Sequence, residues 1–166
     1  AVNNKIISIS LRRRIKPKLN FNLKLVNYKR IKPEFKNLKY RIILKYLSKM
    51  DPSSSDIGLC NNKKLFESGT SNILFIKDNK IFSPINKIYK GVTYNFFENK
   101  FKKIIKKDIL IKSLHVYDEI ILIGSGKGVA SINTIKDIKW KRRSLKFYQI
   151  LTKFYKTQIN KCSIYK

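Results

Sequence analysis

Phe66-Glu67-Ser68-Gly69-Thr70-Ser71-Asn72-Ile73-Leu74-Phe75 places one carboxylate and a run of small polar residues directly before an apolar strand. A solvated turn would leave such a Glu unremarkable, whereas a buried one needs a partner, because an uncompensated carboxylate is costly away from water. Working outward, Ile73-Leu74-Phe75-Ile76 and Lys80-Ile81-Phe82 flank Asp78-Asn79, a pair able to take the positive φ of a tight turn, which predicts a hairpin. Upstream, Ile57-Gly58-Leu59-Cys60, then Asn61-Asn62-Lys63-Lys64, then Leu65-Phe66 read as strand, turn, strand. Before them, Asp51-Pro52-Ser53-Ser54-Ser55-Asp56 is the most loop-like piece of the chain.

The same reading extends to both ends. Residues 5–9 and 21–26 alternate as strands around a basic turn that carries Arg12-Arg13-Arg14 and Pro17. Pro33 closes that segment, and Leu38, Ile42, Ile43, Tyr46 and Leu47 fall on one face of a helix expected over 36–49. Phe96, Phe97, Phe101, Ile104 and Ile105 predict an amphipathic helix over 93–107. Glu119-Ile120-Ile121-Leu122-Ile123 is a continuous apolar strand of the buried type, and residues 141–155 form a last helix, basic on its wet side. No internal repeat occurs, and the elements give one mixed α/β domain over 1–166, long enough to bury a sizeable core.

The 166 residues carry a formal charge of +28, which by itself points to a nucleic acid or an anionic surface. The excess is mostly Lys, with Arg at positions 12, 13, 14, 30, 41, 142 and 143 only, and Asn and Ile are swollen alongside it. Lys, Asn, Ile, Tyr and Phe share adenine- and thymine-rich codons, so a biased, AT-rich genome inflates all five without selection for a ligand. Aromatic residues sit at helical spacing, as core residues do, and offer no stacking platform. The apolar runs are too short to span a bilayer, and Ala1-Val2-Asn3-Asn4 is no signal peptide, so an intracellular protein, cytoplasmic or organellar, is expected. Cys60 and Cys162 lack CxxC spacing and are expected as free thiols, no metal site is expected, and the single His115 has no triad partners.

Three further stretches carry chemistry. Lys90-Gly91-Val92-Thr93 opens the Phe-rich helix, where unpaired N–H groups and the helix dipole suit a phosphate dianion. Asp118-Glu119-Ile120-Ile121-Leu122-Ile123-Gly124-Ser125-Gly126-Lys127-Gly128-Val129 runs a buried strand into a glycine-rich turn. It is not a nucleotide-binding P-loop, since position 121 is Ile where Gly is required and Gly128 stands where Ser or Thr would follow the Lys. Phe35-Lys36-Asn37-Leu38-Lys39-Tyr40 lies about thirty residues before Glu67.

In that order the four sites resemble the class IV (fold-type IV) pyridoxal-phosphate aminotransferase and lyase family. Glu67, with Ser71 and Asn72 after it, is similar to "E-G-S-x-S-N-(I/V)-F", with Ser68-Gly69 in place of Gly-Ser. Gly91 to Tyr94 is similar to "G-(I/V)-T-R", with Tyr94 for Arg. Asp118 to Val129 is similar to "D-E-(V/A)-F-L-T-G-T-A-x-G-V", with Ser125 for Thr. Lys36 to Tyr40 resembles "K-x-L-N-(Y/R)", with Lys39 for Asn.

The resemblance implies an α/β (mixed α+β) fold, the large C-terminal, cofactor-binding domain of the family, with a mixed sheet or pseudo-barrel and flanking helices. The family's small N-terminal domain has no counterpart, which makes the chain either a fragment, favoured by the absent initiator Met, or a relative that lost a domain. The implied cofactor is pyridoxal 5'-phosphate. Lys36 would be the Schiff-base lysine and proton shuttle, with Lys29, Lys32 and Lys39 as alternatives. Tyr40 would contact the cofactor, and Glu67 would hydrogen-bond its pyridine nitrogen, keep the ring cationic and so let it accept electrons. Gly91, Val92, Thr93 and Ser125 would cradle its phosphate, and the Gly126 and Lys127 amides would hold the substrate carboxylate.

The short form after Lys36 is closer to the aminodeoxychorismate lyases, implying cleavage of 4-amino-4-deoxychorismate to 4-aminobenzoate and pyruvate in folate synthesis. A branched-chain or D-amino-acid aminotransferase is the alternative within the family. The partners implied are a small-molecule amino substrate and a second copy in a homodimer, with no membrane. A basic RNA-binding module using Arg12-Arg13-Arg14 and Lys141-Arg142-Arg143, or a non-catalytic scaffold, is the alternative of a different class.

Overall fold

The computed structural model describes residues 15–35, 40–101 and 103–162. The expected first strand, the Arg12-Arg13-Arg14 turn and Lys36 to Lys39 lie outside the described residues. The strands are β1 (Phe21–Asn27), β2 (Ser55–Cys60), β3 (Lys64–Ser68), β4 (Asn72–Lys77), β5 (Lys80–Pro84), β6 (Ile104–Lys107), β7 (Ile109–Leu110), β8 (Glu119–Gly124), β9 (Gly128–Ile135) and β10 (Trp140–Lys141). The helices are α1 (Arg41–Leu47), α2 (Val92–Lys100) and α3 (Lys146–Asn160).

They build one mixed sheet in the order β6-β5-β4-β8-β9-β1-β2-β3-β7, with β10 beside β9. The pairs β1–β2, β1–β9 and β5–β6 are parallel, and the others antiparallel. Parallel neighbours need a crossover. α1 lies in the connection between β1 and β2, and α2 in that between β5 and β6. The β4–β5 hairpin turns on Asp78 and Asn79 at φ 49° and 56°, the positive values the sequence predicts there.

Three apolar clusters hold this framework. Phe21, Leu23, Leu65, Ile73, Phe75, Leu114, Tyr117, Ile120 and Trp140 belong to the first. Strand residues alternate between faces, so Leu74, Ile76, Ile121 and Ile123 join a second cluster with Tyr94, Phe97 and Leu151 from α2 and α3. The rings of Phe96, Phe97, Phe101 and Phe154 pack at centroid separations of 5.4–6.1 Å, fixing α3 against α2. In the third, Ile43 of α1 packs with Val26, Ile57 and Leu59. Glu119, at the start of β8, accepts the Phe147 and Tyr148 amides at 2.8 and 2.9 Å and the Ser144 hydroxyl at 2.9 Å. A carboxylate remote in sequence thus caps α3, whose flanking Leu145 makes no side-chain cap bond.

The structure corrects several element boundaries. The helix expected over 93–107 ends at Lys100, and Ile104 and Ile105 instead pair in parallel with Ile81 and Phe82. Two β-branched residues flanked by lysines fit either period, and the free edge of β5 decides it. α1 buries Ile43, while Ile42 is exposed and Tyr46 lies at the surface. The last helix starts at Lys146, because Trp140 and Lys141 form a short strand. Beyond the glycine-rich turn the chain continues as β9, a largely buried strand that the sequence reading does not include.

Candidate active site

Four stretches distant in sequence meet at one cleft of about 550 Å³. Glu67, at the penultimate position of β3, lines it together with Gly69, Thr70 and Ser71 of the following turn and Asn72, the first residue of β4. Tyr89, Gly91, Val92 and Thr93 close another side, Ile123, Gly124 and Ser125 come from the end of β8, and Arg30, Tyr40, Ile43, Leu44 and Leu47 from the β1–α1 region.

Two close approaches explain the small residues here. A Cβ on Gly69 would come within 2.8 Å of Ile57 Cγ1, and one on Gly124 within 2.9 Å of Ser71 Oγ. Gly69 therefore lets its turn lie against β2, and Gly124 lets the turn after β8 press onto Ser71 at the cleft floor. Asn72 then ties the floor to α2: its Nδ2 donates to the Tyr89 carbonyl at 2.6 Å, and its Oδ1 accepts the Gly91 amide at 3.1 Å. The opening turn of α2 thus faces the cleft with the N–H groups an α-helix leaves unpaired.

Glu67 is 3% exposed. Its Oε2 accepts the Tyr89 amide at 3.2 Å, and Arg30 Nε lies 2.7 Å from its Oε1. That second contact is an ion pair without hydrogen-bond alignment, so Glu67 Oε1 and Arg30 Nε both remain buried with no directed partner. Burial pushes the Glu67 carboxyl up to about 7, against the Arg30 charge and the Tyr89 N–H, which pull it down.

Next to this cleft is a cavity of about 150 Å³, lined by Ile15, Leu47, Met50, Pro52, Ser55, Thr70, Gly126 and Lys127. Leu47 and Thr70 wall both spaces. The Lys127 ammonium is buried and spent on Asp56 Oδ2 at 2.7 Å and Thr70 Oγ1 at 2.9 Å. Asp56 Oδ2 also accepts the Thr70 and Ser68 hydroxyls at 2.6 and 3.0 Å, and its Oδ1 takes the Ile57 amide at 2.8 Å. This closed knot fastens the glycine-rich turn after β8 to β2 and β3.

The amino-transferase class IV family model matches residues 7–135. The chain belongs to the class IV aminotransferase family. Solved structures share its fold. A protein from Legionella pneumophila provisionally named a 4-amino-4-deoxychorismate lyase is 17% identical with a TM-score of 0.69, over 89% of this chain and 59% of that one. A branched-chain aminotransferase from Thermoproteus uzoniensis, solved with norvaline, is 17% identical with a TM-score of 0.68, over 84% and 52%. A hypothetical aminotransferase from Mycobacterium tuberculosis, in a form with α-ketoglutarate and PMP bound, is 13% identical with a TM-score of 0.67, over 84% and 55%. The chain spans little more than half the length of these proteins. No curated protein sequence matches it.

Of the residues picked out in this class IV chain by sequence, Tyr40, Glu67, Gly91, Val92, Thr93 and Ser125 share the cleft. Gly126 and Lys127 line the neighbouring cavity. Lys36 lies outside the described residues, and Tyr40, four positions later, is at the cleft wall. Arg30, Tyr89 and Asp56 were not anticipated. The available signal for Arg30 was its identity, an Arg between Lys29 and Lys32 in a chain that otherwise favours Lys. His115 is exposed, with Nδ1 3.0 Å from the Lys112 carbonyl. Cys60 is buried and Cys162 exposed, both as free thiols. Among the described residues no group of three His, Cys, Asp or Glu side chains could hold a metal ion, and no helix is long and apolar enough to cross a membrane.

Proposed function

We propose that this chain is the cofactor-binding domain of a pyridoxal-phosphate-dependent class IV enzyme, with 4-amino-4-deoxychorismate lyase as its reaction. The observation that carries the cofactor is Glu67: a buried carboxylate at the cleft wall with one oxygen, Oε1, short of a directed donor. A protonated ring nitrogen supplies such a donor. The far wall fits the other end of the same molecule, for the α2 N-terminus and the Ser125 hydroxyl group suit a phosphate.

Pyridoxal phosphate, when bound, supplies an electron sink for a substrate carbanion. The protein's part is to hold and to move protons. Glu67, as an anion, keeps the proton on the ring nitrogen. The first amides of α2 at Val92 and Thr93, with the Ser125 hydroxyl, would hydrogen-bond the phosphate, and Gly91 would let it approach the chain. Lys36 would hold the cofactor through its ε-nitrogen, and the same nitrogen would move the substrate's α-proton. The Gly126 and Lys127 amides, at the cavity next to the cleft, would take the substrate carboxylate. Tyr40 borders the cofactor and backs Arg30, whose guanidinium carbon lies 4.9 Å from the ring centroid.

The lyase is preferred to a transaminase on Lys36-Asn37-Leu38-Lys39-Tyr40, the short form of the lysine motif. An aminotransferase acting on branched-chain or D-amino acids is the competing reaction, and the fold is common to both. A homodimer goes with the family reading. The RNA-binding alternative loses part of its support, since Arg142 donates to the Leu19 carbonyl and Ser131 Oγ, and Arg143 to Asp118 and the His115 carbonyl. The deciding experiment adds pyridoxal phosphate to the purified chain and to Lys36→Ala, follows the visible-edge absorbance band of a lysine-bound cofactor, and traps the adduct by borohydride reduction for peptide mass analysis. A band and an adduct at Lys36 establish the cofactor chemistry; a folded protein without either overturns it. Turnover of 4-amino-4-deoxychorismate against amino-group transfer to a 2-oxo acid then separates lyase from transaminase.

A further inference from the structure

We propose that Arg30 is the positioning residue of this site: its guanidinium group, fixed by the Gly69 carbonyl and the Tyr40 ring, holds the Glu67 carboxylate in place and favours its anionic form at the cleft wall. The assignment rests on reading Glu67 as the partner of the cofactor's ring nitrogen. Arg30 is anchored away from Glu67 as well as toward it. One terminal nitrogen donates to the Gly69 carbonyl at 2.8 Å and reaches the Ser68 carbonyl at 3.5 Å, and the Tyr40 ring lies against the guanidinium. With those contacts made, Nε sits 2.7 Å from Glu67 Oε1, and both side chains are withdrawn from water at 12% and 4% exposure. A planar, always-charged group bound on two sides loses little further freedom on holding a carboxylate, which a flexible Lys cannot match.

The contact is also incomplete in a useful way. Arg30 Nε lies on Oε1 at ion-pair distance without an aligned bond, so the charge is compensated while that oxygen keeps no directed hydrogen bond. The polar groups at the Glu67 carboxyl are Arg30 from the segment after β1 and the Tyr89 amide from the segment before α2, and on β2 its register partner is the uncharged Leu59. The nearby charges of Asp56 and Lys127 are spent on each other. Without Arg30, burial acts on Glu67 with only one N–H opposing it, the carboxyl stays protonated at neutral pH, and a neutral acid cannot hold a proton on a pyridine nitrogen.

The test compares the full chain with Arg30→Met, Arg30→Gln and Arg30→Lys in two readouts. The first is the titration of the Glu67 side-chain carboxyl by ¹³C NMR in protein without cofactor, assigned with Glu67→Gln. Its midpoint is expected to rise by about one unit or more in whichever neutral variant folds, and to return toward the wild-type value in Arg30→Lys. The second is an absorbance titration with pyridoxal phosphate at neutral pH, where the neutral variant is expected to bind roughly tenfold more weakly, with the gap narrowing as pH rises and Glu67 ionises. An unchanged midpoint overturns the assignment. So does a raised midpoint with unchanged cofactor affinity at every pH. If the wild-type chain binds no pyridoxal phosphate, the proposed function falls, and the Glu67 midpoint still decides whether Arg30 favours the anionic form of that carboxylate.

Discussion

Two buried carboxylates on neighbouring strands, Asp56 on β2 and Glu67 on β3, meet their cations in opposite ways. Asp56 is enclosed: one oxygen takes Lys127, Thr70 and Ser68, and the other takes the Ile57 amide. Glu67 has Arg30 at ion-pair distance, one backbone N–H, and an oxygen with no aligned donor beside a 550 Å³ cleft. A completed network is what a protein uses to fix a turn, and an incomplete one at a cavity wall is what it leaves for a ligand. Ser68 belongs to both: its hydroxyl serves Asp56 and its carbonyl faces Arg30.

The comparison breaks most visibly at the closed site. Lys127→Met strands Asp56 in the interior and is expected to cost about 3–5 kcal/mol, read from denaturant unfolding. The double variant Asp56→Asn/Lys127→Met should recover much of that loss, because most of the cost is the unpaired charge. Recovery absent in the double variant would mean that the hydrogen-bonded turn, and not the charge balance, is what the pair secures.

The open site should announce itself through pH. Glu67 has its carboxyl raised from 4.5 to about 7 in the folded chain, so between those values the folded protein binds more protons than the unfolded one. Stability must therefore fall as pH rises through that window, by up to about 3 kcal/mol, and the penalty is complete above it and absent below it. Unfolding midpoints measured from pH 4 to 8 should show this slope in the wild type and lose it in Glu67→Gln. A slope that persists in the variant would assign the proton to another group.

Much of the framework could be read from the residues, for identifiable reasons. The β4–β5 hairpin and β8 follow from local turn chemistry and an unbroken apolar run, and Glu67, Gly91 and Ser125 came from motif order. What escaped was set by tertiary contact. Asp56 closes a Ser-rich run that looks like solvent-exposed loop, yet it is fully buried by a Lys 71 positions away. Lys127 sits among glycines, where a lysine ordinarily reaches into water. Arg30 finds Glu67 across a parallel crossover that no local pattern announces, and β6 became a strand because β5 offered it an edge.

A smaller change separates the two sites without removing a charge from either. Asn72→Ala deletes the bonds to the Tyr89 carbonyl and the Gly91 amide, which tie the cleft floor to the start of α2. Two half-buried backbone groups lose their partners, and the expected cost is about 1–2 kcal/mol. Hydrogen exchange should locate it. The amides of Tyr89 and Gly91 are expected to lose protection, and the Glu67 midpoint to climb as its Tyr89 donor drifts. The Ile57 amide on Asp56 should keep its protection, since the closed network shares no bond with Asn72. Equal loss at both would show that the two carboxylates belong to one cooperative unit, and that the contrast between them is one of exposure to the cleft alone.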